Sequence, residues 1–480
     1  MFSLERAVVC SLALLTSAVY AVKPVEVQGQ DFVVADTGDR FVIVGVDYQP
    51  GGQAGYKPQE GEDALTNGTV CLRDAALLQG LGVNTIRVYN VDPTLNHDDC
   101  ASIFNAVGIY MLMDVNAPFG GESLNRADPE SSYHVGYLSR TFGVVEAFAP
   151  YPNTLGFFAA NEVINDLGTA DENPRYIRAV QRDLKNYIKN NIDRAIPVGY
   201  SAADVREVLE DTWAYLQCAI DGDEDDMSRS DFFGLNSYSW CGSDATFDTS
   251  GYDDLVEMFG SSTIPVFFSE YGCNDVQPRV FDEVQALYGR QMTSLSGGLV
   301  YEYSQEEADF GLVDIHSNGS VTLRVDFDNL QGQYNELDLS IIQSSNDTAV
   351  NLEPPECGRS LISSSQFSTD FDIPETPDDV ADLISNGLDD PNRGQIVDVD
   401  ETEVPMECYG TNGNVLEDLA IRPLPEDQSN TPSGEDTSGG ATGTGAAPSA
   451  TSSGAAVPAV GGVPQGLEYG AFMAFLMWLA

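Results

Sequence analysis

The feature that most constrains the fold is a repeated order of elements between residues 30 and 304. Eight short apolar runs, each about the length of a buried strand, alternate with longer stretches whose apolar residues recur at helical spacing. The runs are FVIVGVDYQP (41–50), VNTIRVYN (83–90), IYMLMDVN (109–116), TLGFFAANE (154–162), AIPVGYS (195–201), FFGLNSYSW (232–240), PVFFSEYG (265–272) and GGLVYEYS (297–304). Such alternation indicates parallel strands joined by crossover helices, and eight of them predict a closed (β/α)8 TIM barrel.

An open, doubly wound sheet is the alternative fold for this alternation. It would be favoured by a GxGxxG fingerprint after the first strand, and the sequence has none there. In a barrel, the carboxyl ends of the strands meet at one face, where active sites lie. Polar and aromatic residues end these runs: Asp47, Tyr48, Gln49, Tyr89, Asn90, Asp114, Asn161, Glu162, Tyr200, Ser201, Asn236, Tyr238, Glu270, Tyr271, Tyr301, Glu302 and Tyr303. The sequence therefore predicts one polar, aromatic mouth.

Two glutamates, Glu162 in AANEV and Glu270 in FFSEYG, end the fourth and seventh runs. A glutamate behind an apolar run is either a surface residue at a strand tip or a working group in a cleft. Because the two strands lie three apart in a ring of eight, their side chains can face each other across the mouth. Glycosidic cleavage with retention needs two carboxyl groups about 5 Å apart, so the pair predicts this chemistry.

Each acid then has a predicted role. Glu270 is expected to be ionised, helped by a hydroxyl donor such as Tyr238, and to attack the sugar. Glu162 is expected to hold a proton at rest and to give it to the leaving oxygen. The amide of Asn161 is placed to donate to the sugar 2-hydroxyl. Three tyrosines offer ring faces and hydroxyls to a sugar, although packing would explain each equally well. They are Tyr89, Tyr238 and Tyr301.

The charge of the chain excludes one class of partner. Its 480 residues include 22 Lys and Arg against 75 Asp and Glu, a formal net charge of −53 at pH 7. Such a field repels phosphate backbones and anionic lipid surfaces, so nucleic acid is not an expected partner. The sequence also lacks CxxC and HExxH spacing, so no metal and no cofactor is expected.

The amino-terminal residues 1–21 have the pattern of a secretory signal peptide. Arg6 precedes an apolar stretch from Ala7 to Leu15, and small residues precede a cut after Ala21. Secretion is the consequence. Three Asn-x-Ser/Thr sequons then predict glycosylated surface loops. They begin at Asn67, Asn318 and Asn346.

The predicted catalytic barrel takes residues 22–325, and three further segments follow it. Residues 326–425 are rich in Ser, Asp and Pro with short apolar pieces, which indicates a small β-rich module. Residues 426–466 form a Ser/Thr/Gly/Ala-rich, disordered linker. The apolar tail 467–480 resembles the removable signal of a glycosylphosphatidylinositol (GPI) anchor, the alternative being an unanchored terminus. Two small residues suit the attachment site: Ser453 and Gly454.

Seven cysteines remain after Cys10 leaves with the signal peptide, so at least one has no partner within the chain. Three pairings suit the strand order, although the sequence leaves the connectivity open. Cys241 and Cys273 follow neighbouring strands, and Cys71 and Cys100 flank the second strand. Cys218 is then free to link the barrel to Cys357 in the module.

Motifs spread over residues 25–425 together resemble the fungal β-1,3-glucanosyltransferases of glycoside hydrolase family 72. These motifs are GVDYQPGG, NTIRVYNVDP, NHDDC, FFAANEV, IPVGYSAADV, NSYSWCG, SGYDDL, PVFFSEYGCN, GGLVYEYSQEEADFGLV and CGRSL. The resemblance implies a barrel with a small C-terminal module, a GPI anchor on the outer face of the plasma membrane, and location in the cell wall. It also implies a reaction that cuts inside a β-1,3-glucan and passes the new reducing end to the non-reducing end of another glucan.

Residue by residue, the resemblance implies that Glu162 is the acid/base and Glu270 the nucleophile. Asp204 matches an acceptor contact. The acceptor-binding Arg that the family usually has five residues later is Leu209 here, and the nearby Arg206 is the candidate substitute. The implied contacts to the donor glucan are Tyr89, Asn116, Ala117, Pro118, Phe119, Gly120, Gly121, Glu122, Ser123, Leu124, Asn161 and Tyr301.

The family resemblance also bears on the cysteines. It implies the disulfides Cys71–Cys100, Cys218–Cys357 and Cys241–Cys273, which leaves Cys408 without a partner. Since only Cys408 follows Cys357, the Cys-rich carbohydrate-binding module of some members is not expected.

Two other functions fit parts of the pattern. A secreted retaining endo-β-glucanase would have every catalytic element above and would differ only in letting water attack the glycosyl-enzyme. A non-catalytic glucan-binding wall protein would share the barrel, but the presence of both carboxylates disfavours it. The expected partners are β-1,3-glucan donor and acceptor chains, and the expected state is a monomer.

Overall fold

The computed structural model of the protein describes residues 22–342 and 352–432. The predicted signal peptide, the sequon at Asn346, the GPI tail and the linker beyond residue 432 lie outside these residues. The strands are β1 (Val25–Gln28), β2 (Asp31–Val34), β3 (Arg40–Phe41), β4 (Ile43–Asp47), β5 (Thr85–Val88), β6 (Tyr110–Asp114), β7 (Thr154–Asn161), β8 (Val198–Ala203), β9 (Phe233–Asn236), β10 (Val266–Tyr271), β11 (Gly297–Val300), β12 (Val313–Ile315), β13 (Val321–Leu323) and β14 (Cys408–Tyr409). The α-helices are α1 (Gly68–Leu81), α2 (Asp98–Ala106), α3 (Pro129–Ser132), α4 (Val135–Phe148), α5 (Asn173–Asn191), α6 (Leu209–Gln217), α7 (Tyr252–Phe259), α8 (Glu283–Leu287), α9 (Val325–Asn335), α10 (Leu339–Ile342) and α11 (Asp378–Asn386).

The centre of the fold is a closed barrel of parallel strands in the order β10-β11-β4-β5-β6-β7-β8-β9. Each apolar run of the sequence coincides with one of these strands, although β8 continues two residues beyond its run. The strand residues are buried almost throughout because helices cover the outer face. The longest of those helices, α5, has Pro174 in its first turn, where proline is tolerated. The predicted (β/α)8 barrel is confirmed, and the open doubly wound sheet is excluded.

A three-stranded antiparallel sheet, β1-β2-β3, precedes the barrel and is not among the predictions. Its Phe32 packs against Phe232 and Phe267, with ring centroids 5.9 and 5.7 Å apart. Both partner rings lie at the amino-terminal ends of barrel strands, so the sheet closes the end of the barrel opposite the predicted mouth. The alternating residues of VEVQ and DFVV around Gly29 are a hairpin signal that could have revealed it.

The last barrel strand is followed by the hairpin β12–β13 and then by α9, which packs between α8 and α1. The hydroxyl of Tyr334 on α9 donates to the carbonyl of Gly45 on β4 at 3.1 Å. The helix α9 thus completes the outer ring. The structure therefore extends the barrel unit to Asn335, beyond the predicted boundary at residue 325.

The described part of residues 326–425 does not have the predicted β-rich character. It contains α9, α10, α11 and the two-residue strand β14, and otherwise irregular chain that lies along the barrel. Helix α11 packs against α5 of the barrel, and β14 pairs with β13. The expectation fails because the short apolar pieces pack onto the barrel instead of forming a sheet with one another.

The structure contains the disulfides Cys71–Cys100, Cys218–Cys357 and Cys241–Cys273. They are the pairs that the family resemblance implied. Cys218–Cys357 joins the end of α6 to the C-terminal segment, and Cys241–Cys273 joins the loops after β9 and β10. Cys408 is a buried free thiol on β14.

Two predicted sequons lie within the described residues, and both asparagines are exposed. The Oδ1 atom of Asn67 accepts from two backbone N–H groups at the start of α1, and Asn318 lies in the turn between β12 and β13. Across residues 22–342 and 352–432, no helix combines the length and the apolar character needed to cross a bilayer.

Glu283, in the first turn of α8, is a buried carboxyl outside the mouth and is only 4% exposed. Burial raises the pKa of Glu283 to about 7. Folded protein therefore holds this proton more tightly than unfolded protein, so the stabilisation is complete below the ordinary glutamate pKa and is lost as the pH rises through about 7.

Glu283→Gln is expected to be more stable than wild type at about pH 8, by about 1–3 kcal/mol, because it removes a charge that is costly to bury. The free energy of unfolding, measured by denaturant titration, should fall less from about pH 5 to pH 8 in this variant than in wild type. The exposed Glu336→Gln serves as the control for net charge. An identical pH dependence in Glu283→Gln and wild type would contradict the prediction.

Candidate active site

Glu162 and Glu270 both lie at the carboxyl-terminal mouth of the barrel. Glu270 is the penultimate residue of β10, and its Cα lies opposite that of Asn236 on β9. Glu162 directly follows β7, and its backbone N–H donates to the carbonyl of Ser201 on β8 at 2.8 Å. The φ angle of Glu162 is 50°, in the left-handed region that a residue with a side chain seldom occupies. Such backbone strain is common at functional sites.

The guanidinium of Arg87, on β5, is fully buried and contacts Glu270 and two other polar side chains of the mouth. Its Nε and Nη2 donate to the Asp114 carboxylate at 2.9 and 3.3 Å. Its Nη1 donates to Glu270 Oε1 at 3.3 Å, and its Nη2 also donates to Asn161 Oδ1 at 3.0 Å. One cation thus holds groups from β6, β7 and β10 in a fixed arrangement.

Two tyrosine hydroxyls also donate to Glu270. Tyr238 donates to Oε2 at 2.7 Å and Tyr89 to Oε1 at 2.9 Å. Burial raises the pKa of Glu270 to about 7; the positive charge of Arg87 lowers this pKa, the negative charge of Glu162 raises it, and both hydroxyls lower it. A chain of hydrogen bonds through Arg87, Asn161 and Asn236 links Glu270 to Glu162.

The expected donor to Glu270, Tyr238, is present, but the environment of Glu270 is less favourable to its charge than the sequence indicated. Glu270 is only 8% exposed, and the effect of burial on its pKa outweighs that of the three donors around it.

The amide of Asn161 has one orientation that satisfies its neighbours. Its Oδ1 accepts from Arg87 and from Asn236 Nδ2, the latter at 3.1 Å. A guanidinium has no acceptor, so the oxygen of Asn161 must face it. The NH₂ group of Asn161 is therefore the part that faces the mouth, as donation to a sugar hydroxyl requires.

The rings of Tyr89, Tyr238 and Tyr301 line the mouth around Glu270. Tyr301 meets the other two edge to face, with ring centroids 6.3 and 6.4 Å apart. All three are partly exposed. The structure brings together the tyrosines that the sequence predicted as sugar contacts.

The predicted donor loop, residues 116–124, follows β6. Asn116 anchors it, because its Nδ2 donates to the carbonyl of Ala159 at 2.9 Å and its Oδ1 accepts from Tyr137 at 2.7 Å. Phe119 is 49% exposed and its ring lies 5.5 Å from that of Tyr56. The predicted contacts with the greatest exposure are Phe119, Gly120 and Gly121, whereas Ala117 and Leu124 are buried and Pro118, Glu122 and Ser123 are intermediate.

The predicted acceptor contact Asp204 follows β8 at the rim of the mouth. Ser237 donates to its Oδ2 at 2.6 Å, and Arg206 Nε lies 2.5 Å from its Oδ1. Arg206 is exposed, whereas Leu209 is buried as the first residue of α6. Arg206 therefore occupies the position beside Asp204 that Leu209 cannot.

Sequence reasoning missed Arg87 and gave Asn236 no role. Asn236 Nδ2 donates to Glu162 Oε1 at 2.9 Å, so it contacts the predicted acid directly. The signal for Arg87 is a single arginine inside the apolar run VNTIRVYN. A charged residue in a strand buried on both faces needs carboxylate partners, which points to a site.

The sequence also matches the model of the glucanosyltransferase family, glycoside hydrolase family 72, over residues 14–338. The chain belongs to this family. The 1,3-beta-glucanosyltransferase gel2 of Aspergillus fumigatus is 56% identical over 424 residues, 88% of this chain and 87% of the relative. The probable 1,3-beta-glucanosyltransferase GAS3 of Saccharomyces cerevisiae is 43% identical over 438 residues, 88% of this chain and 83% of the relative.

Solved structures of the family member Gas2 have the same fold. One in complex with a small compound has a TM-score of 0.66 at 38% identity and covers 74% of this chain and 78% of the other. Another is the Saccharomyces cerevisiae protein in complex with laminaritetraose and laminaripentaose. It has a TM-score of 0.64 at 37% identity and covers 75% of this chain and 76% of the other.

Proposed function

We propose that this family 72 protein is a retaining β-1,3-glucanosyltransferase that elongates cell-wall glucan. The observation that carries the proposal is the contact network joining Glu270, Arg87, Asn161, Asn236 and Glu162 at the barrel mouth. It supplies one carboxyl group that accepts from three donors and a second that is linked to the first by hydrogen bonds through Asn236, Asn161 and Arg87. The relatives named 1,3-beta-glucanosyltransferases support the choice of reaction.

In the first step, the Glu270 carboxylate attacks the anomeric carbon of a bound β-1,3-glucan. The bond to the leaving oxygen breaks as Glu162 gives that oxygen its proton, and the reducing-end fragment departs. Arg87 and the two tyrosine hydroxyls stabilise the ionised form of Glu270 before attack. The NH₂ group of Asn161 donates to the sugar 2-hydroxyl, a contact that strengthens in the transition state.

In the second step, Glu162 accepts a proton from the non-reducing-end hydroxyl of an acceptor glucan. That oxygen attacks the anomeric carbon, and the bond to Glu270 breaks. Attack by water at the same point would make the protein an endo-β-glucanase. The rim residues Asp204 and Arg206 favour transfer by holding the acceptor sugar.

The proposal extends to the setting of the enzyme. The sequence pattern supports secretion and a GPI anchor on the outer face of the plasma membrane, beside the glucan of the cell wall. We expect the enzyme to act as a monomer. The partners are neutral glucan chains, which the strongly negative surface does not repel.

Wild-type protein incubated with a reduced laminari-oligosaccharide is expected to yield products longer than the substrate. Glu270→Gln and Glu162→Gln should each lower product formation by at least about 1,000-fold, because each removes one half of the catalytic pair. Chromatography of the products with mass detection is the measurement. Shorter products alone would indicate a hydrolase. Unchanged turnover in Glu270→Gln would exclude it as the nucleophile, and no turnover in folded wild type would favour a non-catalytic glucan-binding protein.

Tyr238→Phe is expected to move the acid limb of kcat/KM to higher pH by about one unit. In wild type, the hydrogen bond from the Tyr238 hydroxyl lowers the pKa of Glu270. Without this hydroxyl the pKa rises, so the nucleophile becomes protonated at a higher pH. Initial rates across the pH range measure the shift. Tyr110→Phe is the matched control, since that hydroxyl donates to the carbonyl of Lys23 away from the mouth. A limb that stays in place in Tyr238→Phe would contradict the assignment.

Arg206→Ala is expected to lower the ratio of transfer to hydrolysis by about threefold to tenfold while donor cleavage persists. The cause is loss of the cation that pairs with Asp204 at the acceptor rim. The ratio of lengthened to shortened products measures the effect. Arg175→Ala, an arginine on α5 that pairs with Glu172 and Asp370 and not with Asp204, is the control. Equal ratios in the two variants would show that Arg206 takes no part in acceptor binding.

A further inference from the structure

We propose that Asn236, held by the hydroxyls of Ser201 and Ser269, is the positioning residue that orients Glu162 for proton transfer. The inference rests on the proposed role of Glu162 as the acid/base. Asn236 is 4% exposed, and its NH₂ group contacts Glu162 and Asn161.

The three residues come from adjacent strands, β8, β9 and β10. Asn236 Oδ1 accepts from Ser201 Oγ at 3.0 Å and from Ser269 Oγ at 2.8 Å, and both serines are fully buried. Gly234 on β9 leaves the space for Ser269, because a Cβ at that glycine would lie 2.5 Å from the serine Oγ. The sequence thus provides a buried pocket in which two hydroxyl groups donate to the amide oxygen of Asn236.

The orientation of this amide follows from Arg87. Since a guanidinium only donates, Asn161 must turn its oxygen toward Arg87. The same oxygen faces Asn236, which must therefore present its NH₂ group, and its own oxygen then faces the two serines. A flipped Asn236 would place its oxygen against Asn161 Oδ1, leaving two acceptors in contact.

The fixed NH₂ group selects between the two oxygens of Glu162. Asn236 Nδ2 lies 2.9 Å from Oε1, so Oε1 accepts this hydrogen bond and the proton of Glu162 resides on Oε2. During cleavage, Oε2–H gives its proton to the glycosidic oxygen as the bond from that oxygen to the anomeric carbon breaks and the bond to Glu270 forms. During transfer, Oε2 takes the acceptor's hydroxyl proton as the bond to Glu270 breaks.

The test compares two donors that differ in their need for a proton. A laminari-oligosaccharide has a poor leaving group that must be protonated, whereas an aryl β-laminaribioside that releases dinitrophenolate needs no proton. Asn236→Ala is expected to lower kcat/KM for the oligosaccharide by about 10–100-fold, the effect of losing a hydrogen bond to an ionisable group. For the aryl donor the loss should stay below about threefold, because proton donation does not limit that reaction.

A second variant keeps Asn236 but loses its two hydroxyl partners. The double variant Ser201→Ala with Ser269→Ala is expected to lower kcat/KM for the oligosaccharide by about 3–10-fold. Its kcat/KM for the aryl donor should change little, as in Asn236→Ala. Ser296→Ala is the matched control, because it is another fully buried serine but lies at the opposite end of the barrel, just before β11. Circular dichroism establishes that each variant is folded.

Glu162→Ala separates failure of the inference from failure of the proposed function. If Glu162→Ala loses oligosaccharide cleavage but keeps aryl cleavage, Glu162 is the acid and the comparison is valid. In that case, an equal loss on both donors in Asn236→Ala, or no loss on either, would overturn the positioning role alone. Equal loss on both donors in Glu162→Ala would overturn the acid assignment, and this inference with it.

Discussion

The buried guanidinium of Arg87 is the interaction on which the mouth of the barrel depends. It is the cation that meets Asp114, Glu270 and Asn161, so three strands converge on one charge. A buried charge is tolerated only when partners compensate it, and removing one partner leaves the others uncompensated. Because a guanidinium donates and never accepts, Arg87 also fixes the direction of the neighbouring amides. Arg87 therefore both compensates the buried carboxylates and sets the orientation of Asn161 and Asn236.

One cation does not compensate every carboxyl group around it. Burial raises the pKa of Glu302 to about 8, and the negative charge of Glu270 adds to this rise. Since burial also raises the pKa of Glu270 to about 7, both of these buried carboxyl groups hold protons near neutral pH. This is a suitable setting for a reaction in which one carboxyl group must be charged while its neighbour carries a proton. Arg87 and the two tyrosine hydroxyls favour the charged form of Glu270 and offset part of the cost of its burial.

The sequence predicted the barrel because buried parallel strands and amphipathic helices have distinct periodicities, and each of the eight runs overlaps one barrel strand. Glu162 and Glu270 were predictable because both interrupt apolar runs at their carboxyl ends. Arg87 and Asn236 were harder, since their importance lies in partners from distant strands. The C-terminal segment was misjudged because its apolar residues pack on the barrel, which composition does not reveal. The pKa of Glu270 depends on burial, which only the folded structure provides.

The central claim is that Glu270 forms the covalent bond to the sugar. A laminari-donor that has fluorine beside the anomeric carbon and a good leaving group slows breakdown of the glycosyl-enzyme more than its formation, so the adduct accumulates. Mass spectrometry of peptides from the trapped protein then locates the modified residue. The account predicts one glycosyl group on the peptide that contains Glu270, with the free leaving group released in equal amount. An adduct on Glu162, or release of the leaving group without any adduct, would contradict it.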